Sequence, residues 1–150
     1  MDFELDIIIP KEEIEIVELY EKKHEWGDET FSCNPPRYNI DTGLDFEQTD
    51  LSYFEKYLDN IAASECIALH LKGDILRDLG YSVNHSIDIM NDTLIVFLSR
   101  LLELSMFYIF LVREDEKVKE KYKVSDKEEI AMIISKCLNW DNPYDVLIYK

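Results

Sequence analysis

The stretch from Leu94 to Val112 constrains this chain most, because in nineteen residues only Ser99, Arg100, Glu103 and Ser105 are polar. Its length matches a membrane span. Arg100 and Glu103, near the middle, would each cost several kcal/mol at the centre of a bilayer, and their i,i+3 spacing lets them pair on a helix surface. With Ser86 as its opening residue, the segment is therefore expected to be a buried central helix over about 86–112, apolar in nearly every direction and surrounded by other helices. No membrane association is expected.

The remaining periodicities fill in a mainly α chain. Phe3, Leu5, Ile7 and Ile9 alternate with Glu4 and Asp6, which predicts an N-terminal strand ending at Pro10. Pro10 followed by Glu12 and Glu13 reads as a helix start, so a helix is expected over Lys11–Glu25, with Gly27 as its stop. Its wheel places Ile14, Ile16, Val17, Tyr20 and His24 on one face and Glu15, Glu18, Lys22 and Glu25 on the other. Residues 27–49 lose periodicity and read as a long acidic loop, with a short strand at Arg37–Ile40 as an option. Asp50 caps a further helix whose apolar positions run from Tyr53 through Leu71, to be broken at Gly73 or Gly80. The alternating charges of Arg113–Lys123 read as a solvated helical end. Ser125-Asp126-Lys127-Glu128 is a capping box for a helix burying Ile130, Ile133, Ile134, Cys137 and Leu138. Val146–Tyr149 is a last short strand that could pair with the first. The expected fold is thus an all-alpha helical bundle with two short strands, and an α+β arrangement is the alternative.

At 150 residues the chain has the size of a single domain spanning 1–150. Its 47% hydrophobic content and four glycines exclude low-complexity and disordered classes. Cys33, Cys66 and Cys137 are odd in number and widely spaced, which predicts reduced thiols in a cytoplasmic protein. The start Met1-Asp2-Phe3-Glu4 lacks the basic and apolar regions of a secretory signal.

Charge is the other strong feature. The net charge is -16, and residues 1–60 hold 17 acidic against 5 basic side chains, a net of -12. Such a field repels phosphates, so nucleic acid is excluded as a partner. It attracts and steers a basic protein, although carboxylates also serve plain solubility. In residues 26–57, Trp26, Phe31, Tyr38, Phe46, Tyr53 and Tyr57 interleave with carboxylates, and aromatics ringed by acid are able to anchor a Lys- or Arg-rich surface. The expected docking residues are Glu15, Glu18, Glu25, Trp26, Asp28, Glu29, Tyr38, Asp41, Asp45 and Glu47. In size and charge alone the chain resembles bacterial immunity proteins, which mask a basic toxin nuclease, and DNA-mimic inhibitors. That resemblance implies a bacterial toxin inhibitor with a basic protein partner and no catalytic role.

Enzymatic motifs are sparse. There is no G-x-S-x-G elbow, P-loop or G-x-G-x-x-G. Glu21 and His24 have the ExxH spacing of di-iron helices, without the second copy such a site requires. Cys66, His70 and Asp74 would align on an unbroken helix as metal ligands. Glu12, Glu15, Asp88 and Asp92 could hold magnesium in a metal-dependent nucleotide hydrolase built on a helical bundle. That enzyme is the alternative reading, and a structural subunit is a third. No cofactor or resident metal is expected.

Overall fold

The run Ile7-Ile8-Ile9 is apolar in both directions of a strand, and the N-terminal segment lies at the centre of a sheet, buried on both faces. The structure is a computed structural model that describes residues 4–40, 44–58, 63–72, 92–112, 118–137 and 145–150. Its strands are β1 (Glu4–Pro10), β2 (Tyr20–Trp26), β3 (Glu29–Asn39), β4 (Asp45–Thr49), β5 (Cys66–Leu71), β6 (Tyr108–Val112), β7 (Val118–Lys123) and β8 (Asp145–Tyr149). They form one sheet in the order β2-β3-β4-β5-β1-β6-β8-β7. All neighbouring pairs are antiparallel except β7 and β8, which are parallel. Two α-helices are described, α1 (Asp92–Glu103) and α2 (Lys127–Cys137), with α2 forming the crossover between the parallel strands.

The period of two divides the core into two layers. Leu5, Ile7 and Ile9 of β1, Ile67, Leu69 and Leu71 of β5, Ile109 and Leu111 of β6, and Val146 and Ile148 of β8 point to one face. There they meet Phe97, Leu98 and Leu101 of α1 and Ile130, Ala131, Ile134 and Cys137 of α2. The intervening residues Ile8, Cys66, Ala68, Tyr108, Phe110 and Leu147 point to the other face, beneath Phe54 and its neighbours Leu51, Tyr53, Tyr57 and Leu58. Phe54 lies 4.5 Å from Phe110 between ring centroids, and the Tyr57 hydroxyl accepts a hydrogen bond from the Val118 N–H at 3.3 Å. Cover on both sides explains why the central strands carry unbroken apolar runs.

The helical bundle and the all-alpha class are therefore corrected to a mainly β fold. The central helix over 86–112 is overturned: helix ends at Glu103, and Tyr108–Val112 is strand β6, while 86–91 lie outside the described residues. Aromatic and β-branched side chains in Phe107–Val112 favour a pleated, two-sided burial that the apolar count alone does not separate from helix. Arg100 pairs with Glu18 at 2.7 Å, across the fold. Lys11–Glu25 is a 3-10 turn at Lys11–Glu13, then turns, then β2, because pairing with β3 overrides the helix preference of its Glu and Lys residues. The expected loop at 27–49 contains β3 and β4. The helix drawn from Asp50 to Leu71 is replaced by 3-10 turns at Glu55–Tyr57 and Ala63–Glu65 and by β5. Val118–Lys123 is strand, not a helical end.

Other expectations hold. The first strand lies at Glu4–Pro10 and the last at Asp145–Tyr149, although β8 pairs with β6 and β7, not with β1. The helix after Ser125 buries Ile130, Ile134 and Cys137, with Ile133 packed against that layer; Leu138 lies outside the described residues. Among the described residues, no helix is long and apolar enough to cross a membrane.

Candidate protein-docking surface

The β2–β3 hairpin forms because Gly27-Asp28 separates two extended runs. Gly27 takes φ 61° while Asp28 stays out of the positive region, the glycine-first pattern of a tight hairpin turn. Only the base of the hairpin is held by the sheet, since β4 pairs with Arg37, Tyr38 and Asn39 alone. Lys23–Trp26 and Glu29–Ser32 pair with each other beyond that point. Between them and the base, Cys33–Pro36 bulge out of register, and the Cys33 thiol donates to the Lys22 carbonyl at 3.3 Å. A two-stranded ribbon thus extends from one side of the sheet.

Every residue of β2 is exposed. His24 faces Phe31 directly and Trp26 faces Glu29, so alternation gathers His24, Trp26, Phe31 and Glu29 on one side of the ribbon and Lys23, Glu25, Thr30 and Ser32 on the other. Trp26 is 82% exposed and Phe31 49%. Burying a side chain as large as Trp26 is worth about 2–3 kcal/mol, a gain this chain leaves unused.

Four expected docking residues, Glu25, Trp26, Asp28 and Glu29, therefore converge at the ribbon tip. The others are spread elsewhere. Tyr38 is half-buried and packs on the main core, Asp45 bonds Arg37, Glu47 lies 3.5 Å from Lys72, and Glu18 pairs with Arg100. Glu15 is exposed on the turn before β2, and Asp41 lies outside the described residues. Phe31 was legible only as one of many aromatics; the Gly-Asp pair between two alternating segments is the signal that would have placed it beside Trp26.

A row of ion pairs anchors the ribbon base. Arg37 faces Glu47, Glu47 faces His70 and His70 faces Asp6 across β3, β4, β5 and β1. Arg37–Asp45, Lys72–Glu47 and His70–Asp6 bridge these strands in turn. The His70 imidazole is raised above its ordinary pKa, first by its hydrogen bond to Asp6 and then by the charges of Asp6 and Glu4, against the opposing pull of burial and Lys72.

The metal-site expectations dissolve with the helices. Glu21 and His24, three apart on a strand, point to opposite faces. Cys66 and His70 share a face but stand about 13 Å apart along β5, and burial pushes the Cys66 thiol up. Glu12 borders a cavity of about 460 Å³ beside Glu13 and Cys66, where Glu13 accepts the Ser105 N–H at 2.8 Å. Asp74 and Asp88 lie outside the described residues, and Asp92 opens α1. Among the described residues, no three His, Cys, Asp or Glu side chains gather as a metal site. No family model, curated protein or solved structure matches the chain.

Proposed function

We propose that this chain is a binding protein that neutralises a basic protein partner, and that the β2–β3 ribbon carries the contact. The single observation behind this reading is Trp26, 82% exposed at the ribbon tip among Glu25, Asp28 and Glu29. An exposed tryptophan is a strong anchor when it enters a pocket on a partner, and surrounding carboxylates select a cationic rim and speed the encounter. The net charge of -16 adds a long-range field of the same sign. This acidity is the feature, with size, in which the chain resembles immunity proteins, which mask a basic toxin nuclease.

The test is affinity capture by the immobilised chain from a panel of purified basic proteins, including nucleases, at low and at physiological salt. A specific partner is expected to bind, to weaken with salt, and to lose about tenfold in affinity on Trp26→Ala. A chain that retains none of them at low salt, or retains all equally with and without Trp26, is not such an inhibitor.

A further inference from the structure

We propose that the partner docks by adding an extended, lysine- or arginine-bearing segment to the free edge of β2. This inference rests on the binding reading above and specifies its mode. Among the described residues, β2 ends the sheet order and β3 is its one strand neighbour, so the alternate N–H and C=O groups of this seven-residue strand that point away from β3 form an open rim. Backbone pairing supplies affinity in such additions, and the alternating side chains supply selection. A basic segment laid along β2 sets its side chains in turn beside the His24–Trp26–Phe31 side and the side holding Glu25. On the first, an aliphatic stem and cationic head pack on the Trp26 ring; on the second, a cation meets a carboxylate. Asp28 and Glu29 extend the acidic end of this path.

Two alternatives fit less well. β2 balances Lys22 and Lys23 with Glu21 and Glu25, whereas the opposite edge, β7, carries Lys121 and Lys123 at its end, which repel a basic segment and protect that edge. A second copy of this chain, paired antiparallel along the full length of β2, sets Lys23 against Lys23 and Glu21 against Glu25. Like charges directly opposite destabilise a strand pair.

The experiment uses the full chain and a synthetic peptide as long as β2 that alternates lysine with valine, with an otherwise identical glutamate peptide as control. Amide hydrogen exchange is followed residue by residue. Protection of the β2 amides by the lysine peptide alone, weakened about tenfold by Trp26→Ala and abolished by Lys23→Pro, is the expected result. Far-ultraviolet circular dichroism on both variants establishes that the sheet is retained. If Lys23→Pro loses the sheet, a chain N-methylated at successive β2 residues takes its place. Unprotected β2 amides at millimolar peptide, equal protection by the glutamate peptide, or protection that grows with protein concentration alone would each overturn the proposal. A basic protein captured in a Trp26-dependent manner without β2 protection would leave the binding reading standing and sink only this mode.

Discussion

Asp6 and His70 stand opposite each other on β1 and β5, the imidazole Nδ1 2.7 Å from the Asp6 Oδ1. Asp6 is only 7% exposed, between the buried Leu5 and Ile7, and the imidazole is the hydrogen-bond partner of its carboxylate.

Stability should follow the protonation of His70. Its pKa in the fold is raised above the ordinary 6.5, so the folded state binds the proton more tightly than the unfolded chain. The resulting stabilisation is full below the unfolded value and is lost as pH rises through the folded one. Glu4, Glu47 and Lys72 face the same site. Urea unfolding midpoints should fall across that window and level off above it. Asp6→Asn should flatten the fall; an unchanged pH profile in that variant would remove the pair as its cause.

The N-terminus of α2 separates two neighbouring residues. Asp126 Oδ1 accepts the Glu129 N–H at 2.8 Å, so Asp126 is the cap, while the Ser125 hydroxyl bonds the Glu129 carboxylate. The cap is thus one residue later than the Ser125-to-Glu128 capping box expects, and the glutamate that reaches back is Glu129, to the Ser125 hydroxyl. Asp126→Ala should cost about 1 kcal/mol, and Ser125→Ala a smaller amount. Equal losses in denaturant titrations would contradict the assignment.

Lys150 closes the far end of α1. Its Nζ donates to the Leu102 and Leu104 carbonyls, both at 2.7 Å, where a helix end leaves acceptors unpaired and carries partial negative charge. Lys150→Met keeps the aliphatic stem and removes these bonds. Thermal unfolding should show a loss of about 1 kcal/mol, and an unchanged midpoint would mean that water serves those carbonyls equally well.

Core and ribbon should respond in opposite ways. Ile8 is fully buried on the same sheet face as Phe110 and in one cluster with Phe54, so Ile8→Ala should cost about 2–5 kcal/mol. Trp26→Ala should leave stability within about 0.5 kcal/mol while weakening partner binding. A large stability loss from the tryptophan change would show that it packs in the fold.

What the sequence made legible were segments whose period had one interpretation. β1 alternates cleanly between Leu5, Ile7, Ile9 and Glu4, Asp6, and the acidic start before Ile130 announces α2. Segments apolar at nearly every position gave no such sign. Cys66–Leu71 and Tyr108–Val112 are nearly all apolar, and an apolar run satisfies helix and strand alike. The ribbon was hidden for the opposite reason: Tyr20–Trp26 is exposed on both sides, so its Glu and Lys residues spoke only of local helix preference. Glu25, Trp26, Asp28 and Glu29 were identifiable because they are consecutive, needing no fold to bring them together. Asp6 and His70 are 64 positions apart, and only the β1–β5 register makes them neighbours.

The place of β8 between β6 and β7 also governs how the chain can be made. During synthesis β1 and β6 leave the ribosome long before residues 145–149, yet β7 can join the sheet only by lying alongside β8. A nascent chain therefore keeps the Val118–Lys123 segment off the sheet until Asp145–Tyr149 emerges.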